Sequence, residues 1–134
     1  MNDLKTQINM KKIISCIVLV GLSVFFSACK KNQLGGKSNI EGKVVHHSKA
    51  IAEATVYVKM GATEFPGDDI SKYDFEVTAD ANGNFKVETL YKGDYYLYAI
   101  GKDFTVPPPW LVKGGIPVKL RYNETVTIEL PVTE

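Results

Sequence analysis

Asp80-Ala-Asn-Gly-Asn84 is the stretch that most restricts what this chain can fold into. Asn82 and Gly83 both tolerate positive φ, which a tight turn between extended segments requires. Phe85 and Val87 then alternate with Lys86 and Glu88, the period of a half-buried strand. Lys92-Gly93-Asp94 supplies a second turn, and Tyr95, Leu97 and Ala99 open another alternating run. The spacing predicts two hairpins in tandem, and with them an all-β domain.

The same pattern extends in both directions. Ile40 and Val44 share one face of a first strand, and Ala54, Val56 and Val58 one face of a second. Tyr73, Phe75 and Val77 form the inward set of a third, after a Gly-, Pro- and Asp-rich loop from Gly61 to Ser71. A loop from Gly101 to Gly115 precedes a sixth strand with Ile116, Val118 and Leu120, and Val126, Ile128 and Leu130 make a seventh. Short strands at such regular turn spacing predict an all-β fold, a seven-stranded Greek-key β-sandwich preceded by a signal-peptide helix. No sustained helical period, internal repeat or low-complexity block follows the leader.

The leader itself reads as an address. Met10-Lys-Lys opens a basic region, with Met10 an alternative start to Met1, and Ile13 to Phe26 is apolar except for Ser15, Gly21 and Ser23. That core suits a secretory signal and falls short of the ~20 residues of a stable bilayer span. Phe26-Ser-Ala-Cys29 resembles the bacterial lipoprotein lipobox, departing from it at Phe26, where leucine is commonest. The resemblance implies cleavage before Cys29, lipidation of its thiol with diacylglyceryl and palmitate-type chains, and membrane attachment through that lipid. Residues 1–28 are then the signal peptide, 29–38 a lipidated flexible tether and 39–134 the folded domain. Lys30 after the cysteine differs from an inner-membrane retention signal, and no acidic run like the surface-export signal of Bacteroidetes lipoproteins follows. The expectation is the cell envelope, at the outer membrane facing the periplasm.

Charge excludes one class of partner. Formal net charge is +1, and the leader removes Lys5, Lys11, Lys12 and Asp3, so no basic surplus remains for nucleic acid. Both cysteines, Cys16 and Cys29, lie before the domain, which therefore has neither a disulfide nor a thiolate metal site.

Ile40-x-Gly42-x-Val44, Ala54-x-Val56-x-Val58, Thr78-x-Asp80-x-x-Gly83-x-Phe85-x-Val87 and Leu90-x-x-Gly93-x-Tyr95 together resemble the carboxypeptidase regulatory-like domain. The resemblance implies a prealbumin-like (transthyretin-like) sandwich, grouped with carbohydrate-binding-like folds. The family's usual Asp-x-x-Gly-x-Pro turn after the first strand is replaced here by His47-Ser-Lys-Ala-Ile-Ala. Such motifs carry structure and leave function open.

Little in the sequence supports catalysis. Asp80-x-Asn82-x-Asn84 places oxygens like the start of a calcium loop, but Tyr91 stands where the closing acid belongs, and tight turns favour the same residues. His46 and His47 are neighbours, and adjacent strand residues point to opposite faces, which argues against a shared metal. Glu64, Asp68 and Asp69 read as a solvated acidic loop. Transthyretin-related hydroxyisourate hydrolases end in Tyr-Arg-Gly-Ser and separate their two histidines, whereas this sequence ends Pro-Val-Thr-Glu134. Intradiol dioxygenases surround iron with two tyrosines and two histidines, an arrangement these adjacent histidines do not suit. The expectation is no enzyme, no cofactor and no metal. Phe104-Thr-Val-Pro-Pro-Pro-Trp110 is the most suggestive segment. Its prolines predict an extended polyproline-II loop. Phe104 and Trp110 either stand out to stack on a sugar or dock a partner protein, or fold back to cover the open end of the sandwich. Tyr57, Tyr96 and Tyr98 are expected to face outward and widen a binding surface. The reading is a non-catalytic, lipid-anchored envelope module for a glycan or an outer-membrane protein partner, with a structural spacer as the alternative and a transthyretin-like hydrolase third.

Overall fold

The computed structural model of the chain describes residues 29–134, so the signal peptide and its helix lie outside the described residues. Eight strands follow: β1 (Leu34–His46), β2 (Lys49–Ala50), β3 (Thr55–Met60), β4 (Phe75–Thr78), β5 (Asn84–Leu90), β6 (Gly93–Lys102), β7 (Leu111–Leu120) and β8 (Thr125–Pro131). The seven expected strands are all present, with the two-residue β2 in addition. One sheet has β1 paired antiparallel with β2 and β5 and parallel with β8; the other runs β4-β3-β6-β7. The two sheets make an all-β sandwich. No helix among the described residues is long and apolar enough to cross a membrane.

Alternation places the core. Ile40, Val44, Val56, Val58, Leu97 and Leu130 are fully buried between the sheets, the inner faces of a sandwich being filled by every second residue of each strand. Tyr95 joins them, its hydroxyl donating to the Tyr91 carbonyl at 2.6 Å. Gly42 is needed for space: a Cβ there would lie 2.4 Å from the Phe85 ring, which covers β1 at that point.

The expected turns occur where predicted, yet they are not hairpins. Asp80 Oδ1 accepts from the Asn82 and Asn84 amides at 2.8 and 2.9 Å, and Gly83 sits at φ 77°. Those amides, Asn84 foremost, hold the Asp80 carboxyl below its usual range. This turn carries the chain from β4 in one sheet to β5 in the other, and the Lys92–Asp94 turn returns it to β6. A strand with one apolar face can bury it beside its neighbour or opposite it across the core. Alternation reports the face and leaves the partner open.

Two boundaries also move. β1 starts at Leu34, so Leu34–Ser38, expected in the tether, belongs to the sheet. Gly36 lies against the Leu90 carbonyl where any Cβ would clash at 2.1 Å, and Ser38 donates to the Arg121 carbonyl at 2.8 Å. Glycines that read as flexibility serve close packing. Likewise β7 includes Gly114 and Gly115, shortening the expected loop to residues 103–110.

Candidate functional site

The aromatic loop between β6 and β7 is folded by backbone hydrogen bonds rather than extended. The Asp103 amide donates to the Trp110 carbonyl at 2.8 Å, Val106 to Asp103 at 3.2 Å and Trp110 to Pro107 at 3.0 Å. These close two turns and correct the expected polyproline-II segment: the prolines shape a compact tip. Phe104 is 73% exposed and Trp110 38% exposed, with ring centroids 5.7 Å apart. The rings rest on each other and do not cap the sandwich. Beside Phe104 runs a shallow groove of ≈ 450 Å³ whose walls include Ile51, Glu53, Lys102 and Leu111.

Asp103 holds this tip from beneath and is 2% exposed. One carboxylate oxygen accepts from the Thr105 amide at 3.0 Å, the Thr105 hydroxyl at 2.7 Å and the Lys49 ammonium at 2.7 Å. The other accepts from His46 Nδ1 at 2.9 Å. Lys49 first, then His46 and Thr105, hold the Asp103 carboxyl far below the usual carboxylate range. Sequence reasoning passed over this residue. Its one local signal is Asp103-x-Thr105, a turn-forming pair directly before the aromatic segment.

The three tyrosines expected on an open face are covered. Tyr96 and Tyr98 are 8% and 2% exposed, and Tyr57 is half-buried. They do lie on the outer side of the sheet, as the register requires, but residues 61–74 fold back across them. Phe65 packs on Tyr96 and Tyr98 at 5.9 and 5.2 Å, and Tyr73 stacks on Tyr98 at 5.6 Å and meets Tyr57 at 5.9 Å. Tyr73, expected inward beside Phe75, therefore lies on this outer layer; it precedes β4 and escapes the strand's alternation. Asp68 accepts from the Tyr98 hydroxyl and meets the Lys113 ammonium at 2.9 Å, while Asp69 caps the 3-10 turn Ile70–Lys72. The acidic loop is engaged in fastening this cover.

His46 and His47 also depart from expectation. His47 and Ser48 adopt φ 46° and 67°, forming the two-residue turn of the β1–β2 hairpin. His47 thus lies outside the pleat, and its ring comes within 4.3 Å of the His46 ring. The strand argument that separated the two imidazoles does not apply.

Cys29 is exposed at the start of the described residues. Close behind it, Asn32 donates its amide to the Lys92 carbonyl at 3.0 Å and accepts from the Asp94 amide at 2.7 Å. Asn32 thus docks at the beginning of β6, whereas Asp103 follows its end. Ten residues of strand separate the two poles, or about 30 Å at the usual rise.

No family model matches the chain, and no curated protein does. Solved structures with the same fold include a candidate carbohydrate binding protein from Pseudomonas aeruginosa, with 14% identity and a TM-score of 0.54, covering 75% of this chain and 91% of that one. The major pilin subunit of Bacillus cereus matches with 15% identity and a TM-score of 0.50 over 74% of this chain, which spans 30% of the pilin. A DUF3823 family protein from Parabacteroides merdae shares 19% identity, with a TM-score of 0.46 and 47% of its length spanned. At these identities the first two likenesses are ones of fold.

Proposed function

We propose that the protein is a non-catalytic binding module of the cell envelope, anchored through lipid on Cys29, which stacks Phe104 and Trp110 on the rings of a glycan. The observation that carries this reading is the exposed, hydrogen-bonded aromatic tip at the pole opposite Cys29. A flat apolar ring next to polar groups is the surface a sugar presents its C–H face and hydroxyls to, and Glu53 and Lys102 border the groove beside Phe104. The fold shared with a candidate carbohydrate binding protein agrees with it. Lipid on Cys29 in the outer membrane would direct the tip into the periplasm, about 30 Å from the anchor.

A glycan array and a pull-down from envelope membranes, run with the unmodified chain and a Phe104→Ala, Trp110→Ala double variant, test the reading. Glycan binding that is lost in the variant while the melting temperature holds supports it. Silence on the array with a protein captured instead moves the tip to a protein partner, and silence in both returns the domain to a spacer. Mass spectrometry of the mature N-terminus tests the anchor separately; an unmodified residue 29 removes it.

A further inference from the structure

At the far pole a polar cluster has one group unaccounted for. The His46 imidazole is 4% exposed, and its Nδ1 is engaged by Asp103 at 2.9 Å. Its other nitrogen, Nε2, makes no hydrogen bond among the described residues, although the Glu134 carboxylate comes within 2.9 Å of it. A buried polar atom left in this state is costly, and native structures rarely leave one without a protein group, an ordered water or an ion to meet it.

What surrounds that nitrogen is a donor set. One ligand atom each from His46, His47 and Glu134 lie within 4.8 Å of one another, the one such trio among the described residues. Each is placed by backbone geometry. The left-handed turn at His47 and Ser48 swings the second imidazole toward the first. Val132 donates to the Val45 carbonyl at 2.9 Å, and Thr133 exchanges hydrogen bonds with Lys113, which brings Glu134 up beside His46.

We propose that His46, His47 and Glu134 bind a divalent transition-metal cation of the zinc class, with Asp103 holding the His46 ring from behind. With Nδ1–H donating to the Asp103 carboxylate, the neutral imidazole carries its lone pair on Nε2, the tautomer that metals bind. A carboxylate behind a ligating imidazole is also the usual outer partner of a zinc histidine. Two imidazoles and one carboxylate suit zinc, with ligand distances near 2.0–2.2 Å and a fourth position open. Tetrahedral ligands at those distances sit roughly 3.3 Å apart. Glu134 and His46 are already close to that, and the remaining movement falls on the exposed His47 and on Glu134, whose side chain is 60% exposed. The Lys49 ammonium is turned to the other Asp103 oxygen, at 2.7 Å. This site is independent of the sugar-stacking tip, although Asp103 touches both.

Zinc titration of the full chain in detergent, after chelator treatment, tests the proposal by calorimetry and melting temperature at neutral pH. One equivalent is expected to bind and to raise the melting temperature. Glu134→Gln and His47→Asn should each weaken zinc by more than the roughly tenfold lost with an outer-shell partner. His47→Asn is the sharper variant, since asparagine accepts a left-handed turn position more readily than histidine and the metal-free fold should hold or gain stability. Loss of affinity in both variants establishes the site. No saturable binding by the unmodified chain, or unchanged affinity in either variant, overturns it.

Discussion

Two loops of this sandwich are rich in aromatic residues, and they end in opposite situations. Residues 61–74 lay Phe65 and Tyr73 onto Tyr57, Tyr96 and Tyr98, and Asp68 fastens the cover to Tyr98 and Lys113. Residues 103–110 carry Phe104 and Trp110 out into solvent, anchored from below by Asp103 and by Val106 packed against the core. The difference lies in what each loop can reach. The first joins neighbouring antiparallel strands, β3 and β4, and has length to spare, so it returns over the sheet's outer face. Gly115 leaves that face open there: a Cβ would stand 2.7 Å from the Tyr96 ring. The second is closed by its own turn hydrogen bonds and leaves its rings exposed beside the groove at the end of the sheet. Aromatic content says that a loop can bury area; a complementary surface decides whether it does.

The comparison breaks most readily at Tyr98. Truncating this 2%-exposed ring to alanine removes the centre of the covered layer and should cost about 3–5 kcal/mol in urea unfolding. The Phe104→Ala, Trp110→Ala pair should stay within roughly 0.5 kcal/mol of the unmodified chain by the same measurement, as for exposed sites. Equal losses in the two would mean that the tip is as structural as the cover.

Alkaline pH sharpens the contrast next. Burial pushes the Tyr73 hydroxyl up from its ordinary 10.0 to about 12, with Tyr96 and Asp68 adding to it, and raises Tyr98 further still. A phenol that resists ionisation in the folded state stabilises it below its unfolded value. That contribution is lost as pH rises from 10 toward 12. Melting temperature should fall across that window, and less steeply in Tyr73→Phe.

Asp103 supplies the smaller, acidic counterpart at the tip. Its carboxyl titrates below the ordinary 3.8, chiefly because of Lys49. Its contribution is therefore present above about pH 4 and is lost as pH falls through the lower folded value. Acid unfolding should steepen below that point and flatten in Asp103→Asn. Hydrogen exchange of the Thr105 amide should report the loosening locally.

Much of the sandwich was legible in the residues. Ile40 with Val44, Val56 with Val58, Phe85 with Val87 and Tyr95 with Leu97 mark strand faces by a period of two, and each is buried. Asp80–Asn84 marks a turn and is one. What stayed hidden was partnership. The same alternation fits β5 paired beside β4 or set across the core from it. Gly36 reads as slack in a tether but lies against Leu90. Of the candidate site, Phe104 and Trp110 could be picked out by residue type, while their exposure could not. Asp103 went unnoticed because its partner His46 is 57 residues away. His47 was placed on the wrong side because strand geometry was extended one residue past the strand.

By itself, then, the order of residues determined which side chains turn inward and where the chain bends, because pleating and turn chemistry act over two to five neighbours. Only the tertiary structure decided which strand faces which, which aromatic rings are roofed, and that two histidines and a glutamate meet. Those outcomes depend on contacts between segments far apart in the chain, and no local period carries them.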